Sequence, residues 1–278
     1  MDRKNIADLI IARMRDLDIE SLKSQYKNSS KINYLVIDDL LPIKFASDLN
    51  YFFPDKNYLK LRNQPQEKKY TAVNWKSKSP IVEECLYSFQ DERVIKLFSK
   101  ICNIKDLSGD PELYAGGLSF MNKGCFLNPH IDNSHDRLRQ RYRRLNLLYY
   151  ITESWDPSND GGELFLYPDG IKFKPVKIPT KFNRLVIMRT DKKSLHGVSE
   201  ITSNSLARKC ISNYYFSYSS PSSKNYYHST SFRGFKGEFL KDIFLRTNAS
   251  LRTSIKFLTG NLFGKIINTG HHRKNNDQ

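Results

Sequence analysis

The sequence predicts a mainly β protein with flanking helices, an α+β chain organised around a sandwich or barrel. Three observations predict it. From Leu113 onward, short apolar runs are separated by Gly, Pro, Asn and Asp, the texture of strands joined by turns. Before that point, apolar residues recur at helical spacing. Tyr and Phe are plentiful, at 16 and 17, which suits pleated, half-buried surfaces. At 278 residues the chain is long enough for one large domain or two small ones.

Ile6, Leu9, Ile10, Met14, Leu17 and Leu22 recur at near-helical intervals, so residues 1–30 are expected to form an amphipathic helix that ends at Lys27-Asn28-Ser29-Ser30-Lys31. Tyr34-Leu35-Val36-Ile37 reads as a strand and Asp38-Asp39-Leu40-Leu41-Pro42 as a turn. Ile43–Phe53 is expected to be helical, closed by Pro54. Pro80–Ile104 has helical periodicity and predicts one or two helices. Leu145–Ile151, Glu163–Tyr167, Arg184–Arg189 and Cys210–Tyr218 read as strands. No internal repeat is visible.

The four cysteines form no CxxC pair, which argues against a disulfide framework or a structural zinc and fits a reducing cytoplasm. The N-terminal stretch MDRKNIADLIIARMRDLDIE has no apolar core of signal-peptide length, and no window approaches 18 uninterrupted apolar residues. The expected location is cytoplasmic, with peripheral contact at the inner membrane face allowed. A net charge of +16 favours polyanions, and it equally fits a solubility effect. A non-catalytic module binding nucleic acid or another anion is the second class of reading. No basic-aromatic RNA motif or zinc-finger spacing supports it, so nucleic acid is not favoured.

The chemistry concentrates at His130-Ile131-Asp132, in NPHIDNSHD, and His196, in KKSLHGVSE. On a strand, residues i and i+2 share a face, as two ligands of one ion must. Two imidazoles and one carboxylate hold a ferrous ion on one triangular face and leave the others open. His135 and Asp136 lie close by as decoys. Arg208 opens the strand Arg208–Phe216, and its guanidinium suits bidentate capture of a carboxylate. Taken alone it also fits a surface arginine at a strand end. By alternation, Arg208, Cys210, Ser212 and Tyr214 share one face, as do Asn146, Leu148 and Tyr150 on an earlier strand. That polar lining suits a small dianion and would be costly as an ordinary core. Tyr214 fits either role. Gly161-Gly162 would let backbone approach closely where a turn enters a strand.

The runs RRLNLLYYITESWDPSNDGGELFLYPDG, VKIPTKFNRLVIMRTDKKSLHGVSEI and RKCISNYYFS, with NYLVIDDLLP as the entry segment, resemble the prolyl-4-hydroxylase-like branch of the iron(II)/2-oxoglutarate-dependent oxygenases. The resemblance covers roughly Asn33 to Ser219. It implies a double-stranded β-helix, a jelly-roll or cupin-like barrel. It implies that His130, Asp132 and His196 bind Fe(II). It further implies that Arg208 pairs with the distal carboxylate of 2-oxoglutarate and that Tyr150 donates to the same end, with Asn146, Ser212 and Tyr214 lining the co-substrate site. The implied reaction consumes O2, releases succinate and CO2, and hydroxylates an unactivated C–H bond; ascorbate enters as an optional accessory. Two departures stand out. Many relatives carry Tyr ten positions before the first ligand, where this chain has Phe120, and the His196–Arg208 interval is slightly long, with Ser203-Asn204-Ser205 expected to loop out.

This reading divides the chain into residues 1–30, an oxygenase domain at 31–220 and a basic helical extension at 221–278. In the extension, Leu240, Phe244, Leu251, Ile255, Leu258, Leu262 and Ile266 fall at mostly three- and four-residue intervals, with nine Lys and Arg against three Asp and Glu between 233 and 278. Such a helix packs on the barrel or a dimer partner, or lies on an anionic membrane through 233–268. His228 fits the border of an active-site mouth or, as the favoured expectation, a surface role, and His271 and His272 are expected in a polar end. The oligomeric state stays open. For the substrate, the charge and the tail point to an acidic glycan, the sugar of a cell-envelope glycolipid as in Kdo-hydroxylase-like relatives; a prolyl residue of a protein is the alternative.

Overall fold

The computed structural model describes residues 1–72, 79–222 and 224–248. The tail periodicity beyond 248 and His271 and His272 lie outside the described residues. Helices α1 (Arg3–Arg15) and α2 (Ile19–Asn28) replace the single expected N-terminal helix. The break is at Asp16-Leu17-Asp18, where the Asp18 side chain accepts from the Glu20 amide and starts a new helix. Strand β1 (Tyr34–Ile37), helix α3 (Ile43–Tyr51), strands β2 (Lys60–Gln64) and β3 (Glu67–Ala72), and helices α4 (Pro80–Ser88) and α5 (Glu92–Cys102) follow. The sequence reading has no counterpart of β2 and β3. Lys60–Gln64 is exposed throughout, and a strand with no buried face offers no alternation to read.

The remaining strands are β4 (Gly117–Met121), β5 (Phe126–Ile131), β6 (Tyr142–Tyr150), β7 (Leu164–Leu166), β8 (Val176–Ile178), β9 (Arg184–Arg189), β10 (His196–Val198), β11 (Arg208–Ser217) and β12 (Ser231–Phe232). They form one antiparallel sheet in the order β1-β9-β6-β11-β4-β3-β5-β10-β7-β8, with β2 on β3 and β12 on β5. Side-chain alternation shows that this sheet is curled. Leu145, Leu147, Tyr149, Leu185, Ile187, Ile211 and Tyr215 point outward into a core shared with the helices. The intervening Tyr150, Val186, Met188 and Cys210 point inward and meet Leu164, Leu166 and Ile178 from the other end of the sheet. Strands distant in the sheet order therefore face each other, a half-barrel with flanking helices consistent with a double-stranded β-helix. Among the described residues no helix is long and apolar enough to cross a membrane.

The outer core fixes the barrel against its helical backing. Tyr149 and Tyr215 are fully buried; Tyr149 donates to Asn183 Oδ1 at 2.7 Å and Tyr215 to the Phe89 carbonyl, which satisfies both hydroxyls. After β11 the chain returns across β5, and helix 239–248 leaves Phe239, Leu240, Ile243 and Phe244 exposed.

Candidate metal centre and co-substrate pocket

His130 comes from β5, Asp132 follows it, and His196 opens β10, the strand paired with β5 in the register His196↔His130. One ligand atom from each lies within 4.8 Å of the others. His130 Nε2 is 3.5 Å from Asp132 Oδ1, and His196 Nε2 is 3.8 Å from Asp132 Oδ2. The other ring nitrogens face backbone carbonyls, His130 Nδ1 to Asn128 O at 3.0 Å and His196 Nδ1 to Ser194 O at 2.9 Å. A carbonyl only accepts, so each Nδ1 carries the hydrogen and each Nε2 offers a lone pair. Burial, with His130 alongside, pushes the His196 imidazolium pKa down to about 4, so that ring is neutral at pH 7.

Burial alone would raise the Asp132 carboxyl, but Arg143, His130 and His196 outweigh it and hold it well below the usual carboxylate range. Arg143 is the residue that sequence reading missed. It is 4% exposed, sits over the Tyr214 ring at 4.1 Å, donates to Asn133 Oδ1 at 2.6 Å and lies 3.5 Å from Asp132 Oδ1. In the run RQRYRRLNLL it is one arginine of a charged stretch. Its neighbour Arg144 donates to Ser217 Oγ and the Ser219 carbonyl instead.

The donor set fits a divalent ion. Asp132 Oδ2 is buried with no hydrogen-bond partner, and two neutral nitrogens with one carboxylate suit iron(II) while leaving positions open. The decoys are engaged elsewhere. His135 Nδ1 meets Ser134 Oγ at 2.8 Å and its ring packs on Tyr142, and Asp136 accepts from Arg141 Nε at 2.9 Å.

Arg208 opens β11 and is 3% exposed. It donates to Thr180 Oγ1 at 2.9 Å, contacts Met121 Sδ at 3.8 Å and lies over the Tyr150 ring at 4.5 Å. None of these partners is charged. The Tyr150 hydroxyl is buried without a partner, and burial pushes its pKa up to about 12, so it stays a donor. A buried guanidinium beside an unpaired hydroxyl, with no carboxylate partner among the described residues, is an arrangement suited to an anionic group. The Gly161-Gly162 turn makes room for it: a Cβ on Gly162, at φ +69°, would meet Arg208 Cδ at 2.9 Å and Ile201 Cδ1 at 2.6 Å. Trp155 Nε1 donates to the Gly161 carbonyl at 3.2 Å and holds the turn.

The other lining residues divide. Asn146 Nδ2 donates to the Tyr214 hydroxyl at 3.1 Å, and Asn146 Oδ1 is buried without a partner. Ser212 Oγ donates to the Gly117 carbonyl at 3.1 Å and is already satisfied. Phe120 does not face the site. The register Arg208↔Met121 and Lys209↔Phe120 turns Met121 inward and Phe120 outward, where it packs edge-on against Tyr70 at 6.0 Å. His228 is partly exposed as a residue, with its Nε2 atom buried.

Residues 116–217 match the model of the 2OG-Fe(II) oxygenase superfamily. Fifty-nine residues are 36% identical to the hypoxia-inducible factor prolyl hydroxylase of Caenorhabditis elegans, a match over 21% of this chain and 8% of that protein's length. The fold is similar to a Pseudomonas putida prolyl-4-hydroxylase (TM-score 0.53, 15% identity, 72% of this chain and 100% of the other). It is also similar to a prolyl 4-hydroxylase from Phytophthora capsici (0.53, 20%, 88% and 79%).

Proposed function

We propose that the 2OG-Fe(II) oxygenase domain of residues 116–217 hydroxylates a C–H bond of a peptide, with a prolyl residue as the acceptor. An oxygenase of this class uses Fe(II), 2-oxoglutarate and O2. When bound, the iron and 2-oxoglutarate supply the oxidation: one oxygen atom enters the substrate as hydroxyl, the other enters succinate, and CO2 is released. In our reading His130, Asp132 and His196 hold the iron. Arg208 and Tyr150 hold the distal carboxylate, with Asn146 and Tyr214 along the lining.

The residues of this chain do four things. The Asn128 and Ser194 carbonyls keep the histidine hydrogens on Nδ1 and so free Nε2. Arg143 keeps Asp132 ionised. The Arg208 guanidinium offers its charge where water is excluded, which strengthens its hold on a carboxylate. The inward apolar residues Val186, Met188 and Leu166 keep that pocket dry. The single observation that carries the reading is the convergence of three candidate ligand atoms within 4.8 Å in the same barrel as a buried arginine with no charged partner among the described residues.

The peptide option draws support from the 36% match to a prolyl hydroxylase. The envelope-sugar option rests on net charge and the basic tail and has no support from the site, and the same holds for the glycan partner. Lipid contact through helix 239–248 stays a proposal supported by its exposed Phe239, Leu240, Ile243 and Phe244. A cytoplasmic location is likewise a proposal, supported by four buried, unpaired cysteines.

The deciding experiment incubates the protein with Fe(II), 2-oxoglutarate and a randomised peptide library with a central proline, reading succinate and a mass gain of about 16 Da by mass spectrometry. Product that requires 2-oxoglutarate supports the reading. Succinate release unaffected by His196→Ala would overturn the metal site, and product from glycolipid extracts alone would overturn the peptide substrate.

A further inference from the structure

Residues 225–232 follow the last barrel strand and return across the flank of the metal ligands, and the reaction as described uses none of them. β3 pairs with the first half of β5, through Glu67↔Leu127 and Lys68↔Phe126. Where β3 departs, β12 takes over, with Phe232↔His130 and Ser231↔Ile131. The contact continues past the ligands. The Asn133 amide donates to Thr230 Oγ1 at 3.2 Å, the Ser134 amide to the His228 carbonyl at 3.0 Å, and the His228 amide to Ser134 Oγ at 2.9 Å. The Phe232 ring stacks on His130, with centroids 5.1 Å apart. The strap is thus registered residue by residue against the segment that carries two metal ligands.

Two polar atoms on the strap are buried and have no partner, the Tyr226 hydroxyl and His228 Nε2. Their rings stack, with centroids 5.6 Å apart and planes 16° from parallel. His228 Nδ1 faces the Ser229 carbonyl at 3.4 Å, which assigns the ring hydrogen to Nδ1 and leaves Nε2 a lone-pair acceptor. The His228 backbone is hydrogen-bonded to Ser134 and the Thr230 side chain to Asn133, the two residues that follow Asp132. Buried polar atoms are rarely left unsatisfied in a finished fold, and those that are tend to await a ligand or water.

We propose that this strap is a wall of the substrate site, where His228 Nε2 accepts a hydrogen bond from a peptide N–H and the Tyr226 hydroxyl donates to a peptide carbonyl. One acceptor beside one donor is the complement of an amide. A prolyl residue has no N–H, so the donor belongs to a neighbouring residue of the substrate, and the strap reads chain direction next to the reacting ring. The inference rests on the peptide reading above and deepens it.

The test uses the protein loaded with Fe(II) and 2-oxoglutarate without O2, mixed with the randomised proline-centred peptide library, and compares wild type, His228→Phe, His228→Gln and Tyr226→Phe. Glutamine restores an acceptor oxygen near the Nε2 position, and phenylalanine keeps the ring stack without it. The expected result is retained peptides whose affinity falls about tenfold in His228→Phe, the loss of one hydrogen bond, and recovers in His228→Gln. After O2 is admitted, KM rises more than kcat falls. Tyr226→Phe, which removes a single oxygen, reports on the strap if His228→Phe fails to fold. Equal affinity in wild type, His228→Phe and Tyr226→Phe would mean that water fills these positions and would overturn the proposal, as would a wild type that retains no peptide. Binding lost in His228→Phe with no hydroxylated product would keep the strap and discard prolyl hydroxylation. Product formed equally by all four proteins would do the reverse.

Discussion

Replacing Arg208 by methionine separates a co-substrate ligand from a structural arginine. The side chain is 3% exposed, and its partners are a threonine hydroxyl, a methionine sulfur and a tyrosine ring. No charge among the described residues offsets its own. A charged hydrogen-bonded contact contributes about 1.5–3 kcal/mol, which at 1.4 kcal/mol per decade is a loss of roughly 10- to 150-fold in 2-oxoglutarate affinity. Methionine fills the space of the Arg208 stem beside Gly162 and Tyr150 and removes a desolvated charge, so the protein without co-substrate keeps its stability or gains some. Isothermal titration gives the affinity, and thermal unfolding with and without 2-oxoglutarate gives the linkage: wild type is stabilised by saturating 2-oxoglutarate, and the variant needs correspondingly more. Unchanged affinity together with a lower melting temperature in the absence of co-substrate would show that Arg208 serves packing and would refute the assignment.

Other expectations follow from the same geometry. His130→Ala and Asp132→Ala abolish Fe(II)-dependent succinate release, and cobalt titration followed by absorbance shows the lost site directly. Arg143→Met removes the cation that holds Asp132 ionised, so cobalt affinity falls and falls further as pH is lowered; a pH-independent affinity equal to wild type would contradict this role. Gly162→Ala places a Cβ 2.6 Å from Ile201 Cδ1 at φ +69° and costs about 1–3 kcal/mol in denaturant unfolding, with a neutral result arguing against the close approach. Burial lowers the pKa of His135 and of His228. The unfolded chain therefore binds protons first as pH falls below about 6.5, and the metal-free protein loses stability from there downward. His135→Phe flattens that slope in melting curves at pH 5 to 7.5.

Much of the site was legible in the sequence because its chemistry is local. His130 and Asp132 are two residues apart on one strand, and Arg208, Cys210, Ser212 and Tyr214 share a face by alternation, so period-two reading identified the inward lining. It also found Gly161-Gly162 before any contact was known. The elements it missed have physical reasons. β2 buries nothing, so it leaves no pattern. The α1–α2 break depends on one cap, Asp18, inside an apolar period that runs through it. Phe120 was read by its distance from His130, but the β4–β11 register, set by hydrogen bonds, turns it outward.

By itself the sequence showed two imidazoles and a carboxylate at spacings that suit one metal ion, and a guanidinium on a strand face, because these are properties of residue types at short spacing; the expected reaction class came from the family resemblance of the same runs. Only the tertiary structure decided which of five adjacent or alternating arginines between 137 and 144 reaches Asp132, that Arg208 is buried without a counter-charge among the described residues, and that the chain beyond Ser217 comes back to pair with β5 and sets the His228 backbone against Ser134. Those outcomes depend on pairings between segments tens to more than a hundred residues apart, and the free energy that selects them, burial and hydrogen-bond register summed over a curled sheet, is not written in any one stretch of the chain.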